Sequence, residues 1–527
     1  MNKESRLSVL LNKNMLILYL ILISALLVRI IGIGWYLPST YELDEYYTIR
    51  KSLGILKYGT LNTQSFMWPS LYMYIQAAGY KLYYLWRLLT VSIHSLDNLT
   101  QTEIFLVGRF TTVLYGVGTV LLVYFIAERM YSKKAGLLSS LFLTFTLLHV
   151  RYSRLIRPDV PMTFFITLSF LCVYLIYERG KIKDYILATI FAGFSIATKY
   201  TGAVLIVPIF LAHLFRGLKE KKTLLRIFFN KKVLLVLFLI VGGFVVASPY
   251  VLWRLPYLFV TITGWFEGLN KITANQQGEV NSWVYYIIDA LHQGMGQPLE
   301  IFSLAGLIYL IYRHRKKDIL LISFPLVYYL IMGSFLRHFD RYILPVVPFL
   351  VIAGAVFLVE IASRISFFRT KQNFIIICLT LAIILFPGIR VIRYVHLMTQ
   401  KGTGLEAKEW IEKNIPRGKR IVYETYSPPL SGYIKRNVGK IGYHSLAQYK
   451  EAKVDYIIMN NFSADRYLNA RLERFQRIKH NYEEIEAKCE LIKQFDPPPF
   501  SPANPNPVIK IYKIKLSLIH ISEPTRP

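Results

Sequence analysis

The chain has 527 residues, 54% of them hydrophobic and 15% aromatic, with a mean hydropathy of +0.38 and 62 Lys and Arg against 32 Asp and Glu, for a formal charge of +30. So much apolar residue exceeds the need of one soluble core and excludes an ordinary soluble protein in favour of a polytopic membrane protein. The positive charge falls in short clusters between apolar spans rather than along one stripe, which excludes a nucleic-acid footprint and marks cytoplasmic loops.

In chain order, apolar runs with helical character occupy about 15–37, 107–127, 135–150, 160–177, 184–198, 201–215, 233–250, 299–312, 319–335, 342–363 and 373–395, which predicts eleven spans. The first run is too long for a signal-peptide core and has no small-residue cleavage site before the acidic segment that follows, so it is expected to stay as a helix. With Lys3, Arg6 and Lys13 inside, every second loop should be basic. The loops holding Arg129, Lys133 and Lys134; Arg179, Lys181 and Lys183; Arg216 to Lys232; Arg313 to Lys317; and Arg364 to Lys371 are all predicted inside. The same register places Asp44 and Glu45, the turns around Asp159, Lys199 and Arg337, the loop from Val251 to Glu300 and everything after Val395 outside. The expectation is a multi-pass protein of the cell membrane whose site and C-terminal region are extracytoplasmic.

The first 399 residues form the transmembrane domain, with a first outer loop at 38–106. From 400 to 515 the chain turns polar and reads as a small α/β domain. It has a helical pattern from Gly404 to Asn414 closed by Pro416 and Gly418, and strand-like runs at Arg420 to Tyr423, Val454 to Met459 and Val508 to Ile514. Pro497 to Pro507 reads as loop, and residues 516–527 resemble the translation of a sequencing-library adapter, a non-native tail excluded from fold reasoning. Cys172, Cys378 and Cys489 show neither metal spacing nor a paired framework.

Tyr41-Glu42-Leu43-Asp44-Glu45 sits where the first span leaves the bilayer, a place where anchors are usually Trp, Tyr, Lys or Arg. Charges at membrane level cost about 2.5 to 3.5 kcal/mol each on insertion, so those at helix ends are candidates for function. On the outer side they gather: Asp44 and Glu45, Arg109, Arg151, Arg154, Arg157, Asp159, Lys199, Arg337, Asp340 and Arg341. Singly, each has a bland reading. The acidic pair can be a solvated loop, Asp159 before Val160 and Pro161 an N-cap, and Lys199 a snorkelling side chain. Together they run against the positive-inside trend and point to an anionic ligand. Guanidinium forks suit phosphate oxygens, which makes Arg109, Arg157, Lys199, Arg337 and Arg341 the phosphate-binding candidates. A carboxylate kept ionised beside them can take a proton from a hydroxyl, which makes Asp44, Glu45 and Asp159 the catalytic candidates. A lipid-linked phosphate carrying a leaving group meets both needs. No cofactor is assigned: a divalent cation is compatible with several carboxylates, but no ligand set of His, Asp and Glu stands out.

A series of motifs then carries a family resemblance. Besides Asp44-Glu45, it comprises Phe66-Met67-Trp68-Pro69-Ser70-Leu71-Tyr72, Val107-Gly108-Arg109-Phe110, His149-Val150-Arg151-Tyr152-Ser153 leading to Arg157-Pro158-Asp159-Val160-Pro161, Thr198-Lys199-Tyr200-Thr201-Gly202, Ser248-Pro249-Tyr250 and Arg341-Tyr342-Ile343-Leu344-Pro345. In order and spacing over roughly residues 15–400 it resembles the protein O-mannosyltransferase-like, polyprenyl-phosphate-dependent glycosyltransferases of the C-type superfamily, with the lipid A aminoarabinose transferases as relatives. The resemblance implies an integral-membrane fold whose first outer loop packs as interfacial helices, and an inverting transfer from a sugar on a polyprenyl phosphate. It implies Asp44 as catalytic base, Glu45 as its partner, Asp159 as a second acidic residue, and Arg109, Lys199 and Arg341 at the phosphate. The chain departs from the pattern at Arg154, where many relatives carry a His-type residue, and at Pro69-Ser70, where Pro-Pro is common.

The function expected is a membrane glycosyltransferase moving a sugar from a polyprenyl-phosphate donor to a hydroxyl of a protein, lipid or glycan at the outer face, with no nucleic-acid partner. A transporter or flippase of polyprenyl-linked lipids would also gather outer cations beside a carboxylate. Such proteins, however, often show repeated halves with helices broken at mid-membrane, and here the charges sit at outer helix ends.

Overall fold

The computed structural model describes residues 13–40, 42–91, 95–271, 281–365, 372–428, 430, 433–499 and 505–515. Lys3, Arg6, Tyr41, the loop 366–371, part of the Pro497 to Pro507 loop and the 516–527 tail lie outside the described residues. The chain divides into two units, one of residues 1–271 and 280–399 and a second built on 400–527 with 272–279.

Every predicted apolar run of the first unit is helical over most of its length, the first ending at Ile30 with turns over 31–38 rather than running on to 37. In order these are α1 (Lys13–Ile30), α2 (Leu43–Tyr58) and α3 (Leu71–Val91) of the first outer loop, α4 (Gln101–Met130), α5 (Lys133–Thr144), α6 (Leu147–Ser153), α7 (Asp159–Glu178), α8 (Ile182–Thr198), α9 (Ile206–Lys219), α10 (Lys231–Ala247), α11 (Leu255–Leu269), α12 (Gln297–Arg313), α13 (Lys316–Gly333), α14 (Val347–Ile365) and α15 (Gln372–Leu397). Six of the described helical segments are long and apolar enough to cross a membrane, or seven if the α5–α6 pair, bent by 63°, is one span. The other four predicted spans fall just short. The helices α8, α10 and α12 have 17 residues each, and α13 opens with three charges in its 18 residues.

The helix ends are set locally. Thr100 and Glu103 form a capping box at the start of α4, Ser132 accepts from the Ala135 amide at the start of α5, and Asn230 caps α10. At the α5–α6 bend the Thr144 and Thr146 hydroxyls donate to the Ser140 and Phe142 carbonyls at 2.8 Å each, a back-bonding often found where helices bend.

The loops predicted inside meet one another. Asp318, fully buried, accepts from Arg313 Nε and Nη2 at 2.7 Å and from the Tyr131 hydroxyl at 2.8 Å, while Lys317 Nζ donates to the Met130 carbonyl and Lys232 Nζ to that of Gly180. The turns predicted outside gather in a separate cluster, described below.

The second unit holds a five-stranded sheet in the order β2-β1-β3-β5-β4, with β1 (Arg420–Tyr423), β2 (Ile434–Asn437), β3 (Tyr456–Asn460), β4 (Glu490–Phe495) and β5 (Ile509–Lys513). The first three strands are parallel, and β5 runs antiparallel between β3 and β4. β3 is buried along its whole length. Ile457 and Met459 face one core with Tyr482 and Ile485, and Ile458 faces the other with Ala407 and Ile411, so the sheet is covered on both sides as a parallel sheet requires.

Candidate active site

Asp44 and Glu45 lie in the first turn of α2, where the helix dipole favours negative charge. Neighbours on a helix point about 100° apart, and the two carboxylates accordingly part company.

Glu45 is completely buried. It accepts from Arg109 Nε at 3.0 Å and Nη2 at 2.8 Å, from the Ile156 amide at 3.0 Å and from the Thr40 hydroxyl. Arg109 Nη1 donates further to the Ile33 and Trp35 carbonyls at 2.8 and 3.0 Å. The bidentate pair therefore ties together the exit of α1, the start of α2, helix α4 and the turn after α6. Gly108 makes it fit, because a Cβ there would stand 2.6 Å from both Ile156 Cδ1 and the Tyr80 hydroxyl oxygen. Arg109, expected at the phosphate, has its guanidinium committed to this internal network.

Asp44 points the other way, to Arg157. This guanidinium, almost fully buried, pairs with Asp44 through Nη2, with Glu42 through Nη1 at 2.7 Å, and lies 3.6 Å from Asp159 through Nε. Burial works against its charge, but the carboxylates of Glu42, Asp44 and Asp159 overcome this and raise its pKa. Asp159 opens α7 without capping it, as its side chain accepts from Lys199 Nζ at 2.7 Å. That overrides both bland readings, since Asp159 and Lys199 are 2% and 7% exposed and hold each other. Lys199 ends α8, and Gly202, in the tight turn after it, allows the chain to fold back on Ser195, whose Oγ a Cβ at 202 would meet at 1.9 Å.

The loop before α14 completes the cluster. Asp340 accepts from Arg151 Nη1 at 3.0 Å, from the Tyr152 hydroxyl at 2.6 Å and from the Arg341 amide at 2.8 Å. Lys199 and Arg341 share the ring of Tyr342 at 4.7 and 5.3 Å, while Arg337 and Arg341 flank that of Phe339 at 5.2 and 4.2 Å. Neither Arg337 nor Arg341, both half-buried, has a carboxylate in ion-pair contact among the described residues. Of the carboxylates around Arg157, Asp44 has the most exposed side chain, at 29% against 17% for Glu42 and 2% for Asp159. The arrangement thus presents one part-exposed carboxylate paired with a guanidinium, linked through Arg157, Asp159, Lys199 and Tyr342 to a pair of arginines that have no carboxylate in ion-pair contact among the described residues.

Glu42 and Arg29 are additions that the sequence reading did not single out. Glu42 sits beside the acidic pair and has the same partner as Asp44. Arg29 is fully buried in α1, where its position inside an apolar run is the signal that could have found it. It donates to Ala25 O and Ser153 Oγ and meets His149 Nδ1 at 2.9 Å, joining α1 to α6. Arg154 donates to the Val28 carbonyl. His338 packs on Tyr285 and bonds Ser282, and His292 pairs with Glu300, away from these residues. No three His, Cys, Asp or Glu side chains among the described residues come together to hold a metal ion, and the space between Glu42, Asp44 and Asp159 is taken by Arg157. These residues do not fit a metal as they stand.

Residues 98–253 match the family model of dolichyl-phosphate-mannose-protein mannosyltransferases. An uncharacterized protein of Aquifex aeolicus (strain VF5) is 30% identical over 255 residues, 47% of this chain, and the chain spans about half the length of that relative. Among solved structures, the Archaeoglobus fulgidus oligosaccharyltransferase shares the fold with a TM-score of 0.55 at 12% identity, over 87% of this chain and 71% of that one. ArnT from Cupriavidus metallidurans does so with a TM-score of 0.54 at 11% identity, over 94% of this chain and 97% of that one. The former has also been solved with an inhibitory peptide and a dolichol-phosphate, and the latter with undecaprenyl phosphate. The resemblance is thus carried in sequence by the mannosyltransferase model over residues 98–253, and the likeness to the oligosaccharyltransferase and to ArnT is one of fold.

Proposed function

We propose that this chain is a membrane glycosyltransferase that moves a sugar from a polyprenyl-phosphate donor to an acceptor hydroxyl, with inversion at the anomeric carbon and Asp44 as general base. The observation that carries this reading is the contrast between neighbours: Glu45 is buried and saturated by Arg109, whereas Asp44 is part-exposed, pairs with Arg157 and through it is joined to Asp159 and then Lys199. A base has to reach the proton it takes, and only Asp44 of this set is open enough to do so. Arg337 and Arg341 are assigned to the departing lipid phosphate, because fixed cations with no carboxylate in ion-pair contact among the described residues stabilise charge that develops as the bond to the sugar breaks. Lys199 and Arg157 hold Asp159 and Asp44 in place, and Arg109 acts through Glu45 rather than on substrate.

The step is a single displacement. The acceptor oxygen attacks the anomeric carbon as its proton passes to Asp44, and the sugar–phosphate bond breaks with its electron pair going to the lipid phosphate. The relatives that bind dolichol-phosphate and undecaprenyl phosphate support a polyprenyl carrier, and the motif series supports an outer-face site. The test is incubation of purified, reconstituted protein with a polyprenyl-phosphate donor of known anomeric configuration. Transfer with the opposite configuration in the product supports the reading. Retention, or movement of intact donor across the bilayer without cleavage, rejects it.

A further inference from the structure

Helix α2 has a second face that the reaction above does not use. A cavity of about 600 Å³ opens along it, lined by Ile49, Arg50, Lys51, Leu53, Gly54, Lys57 and Tyr58 of the helix, by the segment around Asn62 and Gln64, and by Asp97. Placed on a helical wheel, the centre of that face lies roughly 110° around α2 from Asp44. Lys51 is the link, two turns on from Asp44, nearly in line with it and about 10 Å along the axis.

The floor of the cavity is pre-shaped. The Thr60 hydroxyl accepts from the Asn62 amide at 3.2 Å, and the Asn62 side-chain oxygen accepts from the Gln64 amide at 2.9 Å. The charge is mostly positive, with three cations against the one carboxylate of Asp97. Lys57 has only the exposed Asp97 at 3.9 Å, and Arg50 and Lys51 have no acidic partner among the described residues. Burial, reinforced by the adjacent Arg50 charge, lowers the pKa of Lys51, so a bound anion would relieve a standing repulsion. Amide side chains, hydroxyls and tyrosine rings beside three cations and one carboxylate, over an apolar wall of Ile49 and Leu53, form a lining that suits the faces and hydroxyls of a sugar ring bearing negative charge.

We propose that this cavity is the acceptor subsite and that it takes a saccharide carrying phosphate or carboxylate groups, with Lys51 leading its reactive hydroxyl toward Asp44. The proposal rests on the glycosyltransferase reading and adds to it the chemical class of the acceptor. Gly54 supplies a direct probe, because a Cβ there meets nothing within 4 Å and a large side chain would enter the cavity without displacing protein atoms.

The experiment measures binding of trehalose 6-phosphate, trehalose and inorganic phosphate to the full chain in phosphatidylcholine nanodiscs, together with release of labelled sugar from a polyprenyl-phosphate donor into water. Trehalose 6-phosphate is expected to bind about tenfold or more tightly than either trehalose or phosphate, and Arg50→Gln with Lys51→Gln to remove that advantage. Gly54→Phe should block binding, and all these variants should release donor sugar at the wild-type rate while passing less of it to cell-envelope glycan. Equal binding of phosphate and trehalose 6-phosphate, unchanged binding in the variants, or undiminished transfer by Gly54→Phe would overturn the subsite. Failure of the wild type to cleave donor at all would instead reject the glycosyltransferase reading, while the binding comparison would still decide whether the cavity selects anionic saccharides.

Discussion

Replacing Glu45 by Gln should damage the fold rather than the chemistry. Glu45 is fully buried and accepts four hydrogen bonds, two of them from Arg109 in a bidentate pair. The amide keeps one acceptor oxygen, turns an NH₂ toward the guanidinium or the Ile156 amide, and leaves Arg109 charged in a site 3% exposed. Removing one partner of a buried ion pair costs about 3 to 5 kcal/mol. For a unit of this size that lowers the melting temperature by on the order of 4 °C. The cost belongs to the orphaned guanidinium, so Glu45→Gln combined with Arg109→Met should lose less stability than the sum of the two single variants. Thermal unfolding of the purified variants in nanodiscs measures all three. Unchanged melting in Glu45→Gln, or strict additivity in the double variant, would refute the assignment of this pair as the joint between α2 and α4.

Arg337→Gln and Arg341→Gln should each weaken donor binding about tenfold, the worth of one charge-assisted phosphate contact, and unchanged donor KM in both would move the phosphate elsewhere. In the second unit, burial pushes the Glu424 carboxyl up to about 7 against the donated hydrogen bonds of Asn460, Tyr482 and Ile441. The folded form keeps a proton that the unfolded chain has already released, so this unit should lose on the order of 3 kcal/mol as pH rises from about 4.5 through 7. Hydrogen exchange of the β1 and β3 amides, corrected for intrinsic rates, checks this, and protection that is flat or rises over that range would contradict it. An outer location for residues 400–515 predicts that a cysteine placed at the exposed Glu409 reacts with an impermeant reagent in intact cells lacking Cys378; labelling only after lysis would invert the topology.

Continuous apolar runs made the membrane helices legible, because a span is recorded in composition alone. The α5–α6 bend was not, since no Pro or Gly marks it in the sequence and the back-bonded Thr144 and Thr146 beside it leave no pattern of their own. In the second unit β1, β3 and β5 stood out through buried aliphatic residues. Strand β4 did not, because its side chains are mostly exposed and leave no alternating pattern, and the helix Gln476–Lys488 buries only Asn481, Tyr482 and Ile485. At the site, residue type and helix-end position brought Asp44, Arg157, Asp159, Lys199 and Arg341 into view. What one dimension could not supply was direction. Asp44 and Glu45 are adjacent in sequence yet serve different partners, and the buried Asp318, hidden among basic residues, organises the opposite helix ends.

The central claim is that Asp44 takes the acceptor proton, and Asp44→Asn tests it most directly when donor turnover and thermal unfolding are measured on the same purified sample. The account predicts a rate loss of about 10² to 10⁴ fold, with a melting temperature close to that of the wild type because the side chain is part-exposed and its partner Arg157 keeps Glu42 and Asp159. Turnover near the wild-type rate in a folded Asp44→Asn protein would contradict it.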